Sequence, residues 1–441
     1  SGVDLSNSSN NFGLGSIPSI GGAVVNLDAG YVRVVGKTTP GTFAVPQVAD
    51  GTLNISARWI DLQGAIALDN VVNTGFTSTS AIRLLPDNYG AIGSSNSSGR
   101  STFVGALIVP GNLTLRATEI YPVSNTDFVL MSTGTQGSSS TITIVQNGVA
   151  TAPLSAGGGI IVSAQNIVQN GTLWAPLGSI VLGVTDASQV PAGFGNISGL
   201  IGAGNLFVTG AFAPTKNVTL GTGSLTSVSA AGLAIPDGYT VDDTTWYRGT
   251  SGNANVPPVL TAPPAKSISL FGTTVTTSSG AVLDLSGGGD IYATEYVAGT
   301  GGTRNVLTTY QQNPATAAIT PTYSDGRQVY ALVPSYLANV AAYDPNFADT
   351  PYYSGTAVPS GASVPYANAI SPGQSVTIAG GNGIPAGTYT LLPGMYATLP
   401  GAYRVVQVAN NVNPGAAKSF TSPDGSQYVT GTLGNSLTGA Q

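Results

Sequence analysis

Residues 157–183 read GGGIIVSAQNIVQNGTLWAPLGSIVLG, and this stretch decides the fold that the sequence predicts. Ile160 and Val162 alternate with their neighbours, as residues on one face of a β-strand do. The Asn-Gly pair that follows favours a turn, because both residue types accept a positive φ at little cost. Ile180 and Leu182 repeat the first apolar pair 20 residues later. This spacing predicts coils of about 20 residues that stack on one another, which is a β-solenoid.

A phrase of alternating apolar residues, followed by Ala and then Ile, occurs three times. Its copies occupy 53–60, 113–120 and 160–167. The first two copies lie 60 residues apart, which fits three coils, and the third follows 47 residues later, which fits two coils and an insertion. The small Ala before a bend favours a repeated corner. A β-sandwich or several small β domains are the alternatives, because alternating apolar residues occur in any β protein.

The composition argues against a cytosolic enzyme. Only 7% of the 441 residues are charged, while 42% are hydrophobic; a typical soluble domain has about 25% charged residues. A chain of this length exceeds one ordinary compact core, whereas the core of a solenoid grows lengthwise. With a net charge of −6 and 13 scattered Lys and Arg, we expect no nucleic-acid binding. No apolar run is long enough to cross a bilayer as a helix.

The chain contains neither Cys nor His. The first absence excludes disulfides, thiolate nucleophiles and Cys zinc sites, and the second removes the commonest general base and the Ser-His-Asp triad. We therefore expect no enzymatic activity and no cofactor. A β-helix enzyme acting on polysaccharide would need carboxylates at a fixed separation. The chain has two glutamates, Glu119 and Glu295, and the simpler interpretation is one salt bridge near the surface, since Arg304 is close to Glu295 in sequence.

Composition divides the chain into three parts. We expect residues 1–255 to form β-helix coils. Residues 256–266 carry four prolines, whose missing N–H donors disfavour a regular strand, so this segment is predicted to be a junction. Residues 267–441 are expected to hold further coils and then an irregular C-terminal module, since Tyr and Pro increase and coil spacing fades after about residue 300.

Several stretches resemble the filamentous haemagglutinin family, the large exoproteins that Gram-negative bacteria export by two-partner secretion. The phrase NGTLWAPLGSIVL at 170–182 is similar to the coils of that family. More specific similarity lies in LDLSGGGDIYATEYVAGTGGTRNVL at 283–307, VYALVPSYLANVAAYDPNF at 329–347 and GIPAGTYTLLPGMYATLPGAYRV at 383–405. Together these three stretches look like a module from the C-terminal half of very large family members.

The resemblance implies a right-handed parallel β-helix that passes an outer-membrane two-partner transporter and stays at the cell surface or is released. It implies a segment of an extracellular filament or adhesin, with host or surface glycans or proteins as partners in attachment and biofilm formation. It supplies no catalytic residue. Because the chain starts at Ser1 without Met or a signal peptide, we expect a piece of a longer protein. Two rivals are a matrix or sheath subunit that associates end to end without a receptor, and a carbohydrate-active β-helix enzyme.

Two kinds of candidate site follow from the residues. Asp284 and Asp290 enclose a Ser and three Gly in DLSGGGD and would suit calcium, which takes oxygen ligands; the alternative is two strands joined by a glycine turn. Seven asparagines begin Asn-x-Ser/Thr sequons and are candidate glycosylation sites: Asn7, Asn54, Asn96, Asn112, Asn170, Asn196 and Asn217.

Two further patterns concern the surface. The run TTVTTSS at 273–279 would belong to a flat threonine array if its Thr-x-Thr phrase recurred at each coil, but the phrase does not recur at 20-residue steps. Tyrosines cluster in the last third of the chain, where they either contact sugars and partner proteins or pack the module: Tyr343, Tyr352, Tyr353, Tyr366, Tyr389, Tyr396 and Tyr403.

Overall fold

A computed structural model of the chain provides the architecture. It describes residues 2–6, 22–36, 46, 49–86, 103–134, 140–191, 212–248, 259–295, 297, 300–301, 309–312, 319–322, 329–345, 370–381, 383–407, 419–421, 423, 425 and 427–439. The described residues are almost all in β-strands and turns, so the protein is all-β with large parallel sheets. The prediction of the fold class is confirmed at that level.

The strands of the first half are β1 Gly2–Ser6, β2 Val24–Val35, β3 Gly51–Gln63, β4 Ala65–Ala67, β5 Val71–Ser78, β6 Ile82–Leu85, β7 Phe103–Val109, β8 Asn112–Ala117, β9 Ile120–Pro122, β10 Thr126–Ser132, β11 Thr141–Gln146, β12 Gly159–Ser163, β13 Asn166–Asn170, β14 Thr172–Trp174, β15 Ser179–Leu182, β16 Asn217–Leu220 and β17 Leu225–Ser227. A short 3-10 helix spans Ala187–Gln189.

The remaining strands are β18 Leu233–Val241, β19 Thr245–Tyr247, β20 Val259–Leu260, β21 Ser267–Leu270, β22 Thr274–Thr277, β23 Val282–Asp284, β24 Gly289–Thr294, β25 Thr309–Gln312, β26 Ile319–Thr322, β27 Val329–Leu332, β28 Gln374–Ile378, β29 Gly387–Thr390, β30 Leu392–Pro393, β31 Tyr403–Val406, β32 Ser419–Thr421, β33 Gln427–Val429 and β34 Gly431–Asn435. A second 3-10 helix spans Gly394–Thr398.

The chain forms two compact units. The first contains Ser1–Leu233 and Ala254–Asp290, and the second contains Ala234–Asn253 and Ile291–Gln441. The chain therefore leaves the first unit at residue 234, earlier than the junction expected at 256–266, and returns to it before β21. Within the expected junction, Val259–Leu260 form a two-residue strand and Pro263 and Pro264 lie outside strands, while Pro257 and Pro258 lie outside the described residues.

The first unit consists of three sets of parallel strands. In set A, β2, β3, β5, β8, β11, β13, β16 and β22 pair in that order. In set B, the second half of β3 is followed by β6, β9, β14, β17 and β23. In set C the order is β4, β7, β10, β12, β15 and β21.

The chain visits these sets in the same order throughout, except that no set B strand lies between β11 and β12. It passes from β5 in set A to β6 in set B and β7 in set C, and then returns to set A at β8. Each such pass is called a circuit here. Five residue pairs joining β10 to β12 and four joining β12 to β15 are in unbroken register, so side chains of one circuit lie directly over those of the next.

The length of a circuit varies far more than the sequence pattern predicts. Ile160 pairs with Ile180, 20 residues later, as expected. Ile180 pairs next with Ile268, 88 residues later, and Phe76 pairs with Leu115, 39 residues later. Insertions between strands leave the pairing intact, because only the strand segments hydrogen-bond to the neighbouring circuits.

The prediction that the copies of the repeated phrase occupy equivalent positions is confirmed for two of the three copies. Leu53 and Leu113 both pair with Thr74, so the first two copies occupy equivalent positions. They are two circuits apart rather than three, because an insertion before β7 lengthens the intervening circuit. The third copy was wrongly aligned, since Ile160 lies in β12 of set C, over Phe128.

Inward side chains from all three sets form one hydrophobic cluster. In set A, Ile55, Phe76 and Leu115 lie over one another and are at most 1% exposed. Set B contributes Ile60 and Ile82 in the same way, and set C contributes further Leu and Val. Burial of each large side chain stabilises the fold by roughly 1.5–3 kcal/mol, so this stack is the main source of stability.

Glycines permit close stacking of two neighbouring circuits just before β12 and β15 of set C. Gly158 and Gly178 occupy equivalent places in consecutive circuits, and Ser179 N donates to Gly158 O over 3.1 Å. A Cβ atom on Gly178 would lie 1.8 Å from that oxygen. A side chain at this position would therefore force the two circuits apart.

The second unit is built differently. Its described sheets are antiparallel: β27 pairs with β30 and β31, and β28 pairs with β29 and β34. A small hydrophobic cluster is centred on Leu332, Ile378 and Leu391, which are at most 4% exposed. The coil pattern of the first unit does not continue among the described residues after 300.

Candidate functional site

Set A presents the one open face of the three strand sets, as far as the described residues show. On the outer side of set C, Val129, Ile161 and Val181 are at most 1% exposed. On the outer side of set B, Trp59 and Arg83 are at most 2% exposed. The outer sides of those two sets are therefore buried at these positions. The outward residues of set A are all half-buried or exposed, and this surface is called the open face below.

The open face consists of three parallel files of mostly small polar side chains. The first file is Val24, Thr52, Asn73, Asn112, Thr141, Asn166, Asn217 and Thr274. The middle file is Asn26, Asn54, Gly75, Thr114, Thr143, Val168, Thr219 and Thr276. The third file is Asp28, Ser56, Thr77, Arg116, Val145 and Asn170.

This array is not evident in the sequence, because its residues recur at unequal spacing. Four of the last five strands of set A carry Asn-x-Thr or Thr-x-Thr at the same two positions, as in Asn112-Leu113-Thr114 and Thr274-Val275-Thr276. Thr-x-Thr itself does not recur at 20-residue steps, as the sequence indicated, and within these five strands it occurs only in β11 and β22. The broader Asn/Thr-x-Thr pattern recurs in four of these strands, whatever the length of the insertions between them. A search for Asn/Thr-x-Thr at unequal spacing would have found it.

Asparagine amides connect neighbouring circuits along the open face. Asn54 Nδ2 donates to Asn26 Oδ1 over 2.9 Å, and Asn217 Nδ2 donates to Asn166 Oδ1 over 2.8 Å. Asn112 Nδ2 similarly donates to Asn73 Oδ1 over 3.2 Å. Such side-chain ladders fix the amide planes and are a known way to stabilise flat sheets.

Three of the seven predicted glycosylation sites are ladder residues. Asn54, Asn112 and Asn217 use in the ladders the same Nδ2 atom to which a glycan would be attached. Asn170 is exposed at the end of β13, and its register neighbour is Val145, which has no side-chain acceptor. The other three candidates lie outside the described residues: Asn7, Asn96 and Asn196. Glycosylation itself stays a prediction.

The calcium candidates have other partners. Asp284 Oδ2 accepts a hydrogen bond from Ser227 over 3.0 Å, and Asp284 Oδ1 accepts one from Ser286 N over 2.9 Å. Partial burial raises the pKa of Asp284, but the hydrogen bonds from Ser286 and Ser227 outweigh it and leave the pKa below its usual value. Asp290 is exposed. No group of three or more acidic side chains converges among the described residues, so a calcium ion would lack a third carboxylate there.

The carboxylates of the two glutamates accept hydrogen bonds from backbone N–H groups. Glu119 is 5% exposed and its Oε2 accepts a hydrogen bond from Thr151 N over 3.0 Å. Burial raises the pKa of Glu119, against the smaller lowering by this bond. Glu295 accepts hydrogen bonds from the N–H groups of Asp242 and Asp243, which lowers its pKa. Since each carboxylate supports a loop or turn, neither has the arrangement expected of a catalytic pair.

A buried charged cluster, which no sequence pattern predicted, lies on the outer side of set B. Arg83 donates to Asp61 through Nε over 2.9 Å and through a terminal nitrogen over 2.8 Å. Trp59 Nε1 and Tyr31 Oη also donate to this carboxylate, over 2.8 and 2.7 Å. The Arg83 guanidinium also lies 5.6 Å from the centre of the Trp59 ring. Because the Asp61 carboxylate accepts these four hydrogen bonds, it holds three strands together and is not available to a substrate.

The second unit carries an aromatic hairpin. Tyr239 and Tyr247 face each other across β18 and β19 with stacked rings 5.4 Å apart, and Arg248 pairs with buried Asp237 at the base. The tyrosines noted in the sequence fall into two groups: Tyr343 and Tyr396 are buried and therefore pack the unit, whereas Tyr389 and Tyr403 are half-buried against the Leu332 cluster. Tyr352, Tyr353 and Tyr366 lie outside the described residues.

Two findings bear on the identity of the chain. Among the described residues, no helix has the length and hydrophobicity needed to span a membrane. No protein family model, curated protein or solved structure matches the chain.

Proposed function

We propose that the chain is a structural and adhesive segment of a secreted, filamentous haemagglutinin-like protein, folded as a right-handed parallel β-helix. The observation that carries this proposal is the succession of sets A, B and C around a single hydrophobic cluster. A strand that returns in parallel to its own set after visiting two others closes a coil. Parallel crossovers are right-handed in about 98% of cases, which supports the hand.

A rod of this kind suits a mechanical role. Each circuit adds about 4.8 Å along the axis, and each contacts mainly its two neighbours, so the rod lengthens without a larger core. At the last circuit the inward positions are open: Val275 is 42% and Leu283 is 40% exposed, although their register neighbours are buried. A further circuit, from the same protein or from a second copy, would cover them.

The setting comes from the resemblance in sequence. In that interpretation the protein crosses the outer membrane through a two-partner secretion transporter and acts at the cell surface or in the extracellular space. Its partners would be glycans or proteins of a host or another surface. The low charge and the small polar side chains of the open face support its role as the outer surface of an extracellular fibre rather than as a catalytic groove.

A sheath subunit without a receptor is the second candidate function, because one specific observation favours it. The exposed strand edges of β21, β22 and β23 would support end-to-end association of such a subunit. The carbohydrate-active enzyme has less support, because both glutamates and the Asp61 carboxylate are engaged in structural hydrogen bonds.

Surface labelling tests the proposal. Antibodies against the purified chain are applied to intact producing cells and to cells that lack the two-partner transporter. We expect filamentous labelling outside the first cells and intracellular retention in the second. Labelling confined to the cytoplasm of wild-type cells would refute secretion. Binding of chain-coated beads to a glycan array or to host surface proteins then separates an adhesin from a sheath, which would bind neither.

A further inference from the structure

The open face is uncharged along two of its three files. The first and middle files contain only Thr, Asn, one Gly and two Val, whereas Asp28 and Arg116 lie in the third file. The chain as a whole carries a net charge of −6. Two copies can therefore approach through this face with less like-charge repulsion than through a charged surface.

The face is also periodic. Neighbouring strands are about 4.8 Å apart and alternate residues of one strand about 7 Å apart, so the eight strands of set A present a regular lattice. The asparagine ladders hold part of this lattice rigid, as at Asn166 and Asn217. A partner that gains from such rigidity must have the same period. A second copy of this chain has that period by construction, whereas any other partner would need a coincidental match.

The chemistry of the two uncharged files is self-complementary. A Thr hydroxyl and an Asn amide each donate and accept hydrogen bonds, so two identical files can bond after a two-fold rotation. From these observations we infer that the open face binds the open face of a second copy, which joins two rods side by side. The biological setting rests on the proposed fibre, but the contact is a property of the purified chain.

The size of the face sets the strength of this contact. Eight strands and three files cover a patch of roughly 34 by 13 Å, or about 450 Å² on each copy. Stable interfaces bury about 800 Å² on each partner, so we expect a weak, concentration-dependent dimer. Longer rods with more circuits would associate more tightly through repeated contacts.

Charge substitution at the centre of the face gives the sharpest test. Thr143 lies in the middle file, near the midpoint of set A, and its side chain is half-buried. Sedimentation velocity is run over a wide range of concentration on the full chain, on Thr143→Lys, on Thr143→Glu and on an equal mixture of the two variants. We expect concentration-dependent dimers for the wild type, monomers for each variant alone and dimers again for the mixture, because the facing charges then attract.

The control places the same charges elsewhere. Val149 is 89% exposed, only six residues from Thr143, and lies outside the open face. Val149→Lys and Val149→Glu should dimerise as the wild type does. Circular dichroism checks that all variants fold. Folding is expected because both side chains point away from the hydrophobic core. A second measurement uses Thr143→Cys with a short bis-maleimide, since stacked sheets lie about 10 Å apart, beyond the ~7 Å reach of a disulfide. The chain has no native Cys, so any cross-link reports the introduced one.

Other outcomes would overturn the inference. A wild-type chain that stays monomeric at every concentration excludes the contact, even if it co-sediments with an insoluble polysaccharide, which would then be the occupant. Dimers that persist in Thr143→Lys but vanish in Leu283→Lys would place the contact at the end of the rod. If the lateral dimer forms but surface labelling fails, the proposed fibre falls and the contact stands.

Discussion

Asn217 donates a hydrogen bond of 2.8 Å from Nδ2 to Oδ1 of Asn166, which precedes it by 51 residues. The two residues occupy the same place in consecutive circuits. The bond therefore connects neighbouring turns of the chain along the open face. Two other asparagine pairs repeat this geometry.

The first prediction concerns this ladder. Asn217→Ala removes the donor and should lower the free energy of unfolding by about 0.5–1 kcal/mol, the usual effect of a cross-strand pair. Urea denaturation measures it. Asn170→Ala is the matched control, because its register neighbour is Val145. An equal loss in both variants would show that the ladder adds nothing.

The second prediction concerns sugar attachment. When the folded chain is treated with a sequon-specific N-glycosyltransferase, Asn170 should be modified before Asn217, because the Nδ2 atom of Asn217 is held in the ladder. Peptide mass spectrometry gives the occupancy of each site. The unfolded chain serves as the control and should take sugar at both sites alike. Faster modification of Asn217 in the folded chain would argue against an intact ladder.

The third prediction concerns the interior stack. Phe76 is fully buried between Ile55 and Leu115, so Phe76→Ala should cost about 3–5 kcal/mol through lost burial and the cavity left behind. Its neighbour Thr77 points outward, and Thr77→Ala should change stability by no more than about 0.5 kcal/mol. Chemical denaturation compares the two variants. Similar values for both would mean that the inward and outward faces of β5 are assigned incorrectly.

The fourth prediction concerns the charged cluster on set B. Asp61→Ala leaves the buried Arg83 guanidinium without its carboxylate and should destabilise the protein by about 3–5 kcal/mol. Adding Arg83→Met removes the uncompensated charge and should recover a large part of this loss. A double-mutant cycle in urea measures the coupling. Additive effects of the two substitutions would contradict a direct interaction.

The fifth prediction concerns pH. Burial raises the pKa of Glu119 above its ordinary value of 4.5. The native state then binds its proton more tightly than the unfolded state, so this group's stabilisation is present below pH 4.5 and is lost as the pH rises through the raised pKa. Glu119→Gln should therefore flatten the pH dependence and be more stable than the wild type at neutral pH.

Glu295 provides the control of opposite sign. Hydrogen bonds from Asp243 and Thr240 lower its pKa, so its contribution is present above pH 4.5 and is lost as the pH falls through the lowered pKa. Glu295→Gln should weaken the protein at neutral pH. Urea titrations at a series of pH values test both variants. A neutral-pH loss of stability in Glu119→Gln would contradict the sign for the buried group.

The alternation of apolar residues determined much of the fold by itself. Ile160 and Val162 identify a strand with one buried face, and their spacing to Ile180 and Leu182 gives the correct register between β12 and β15. This succeeds because a strand places every second side chain on the same face, and because that circuit carries no insertion.

Only the tertiary structure decided the rest. The register between Phe76 and Leu115, or between Ile180 and Ile268, crosses insertions whose length has no effect on backbone pairing and therefore leaves no period in the sequence. The same insertions concealed the files of the open face and misplaced the phrase at 160–167. Asp61 and Arg83 meet because their strands are neighbours in set B, which local sequence does not encode. Local pattern thus specified which residues point inward, and the packing of distant segments specified which surfaces stay open.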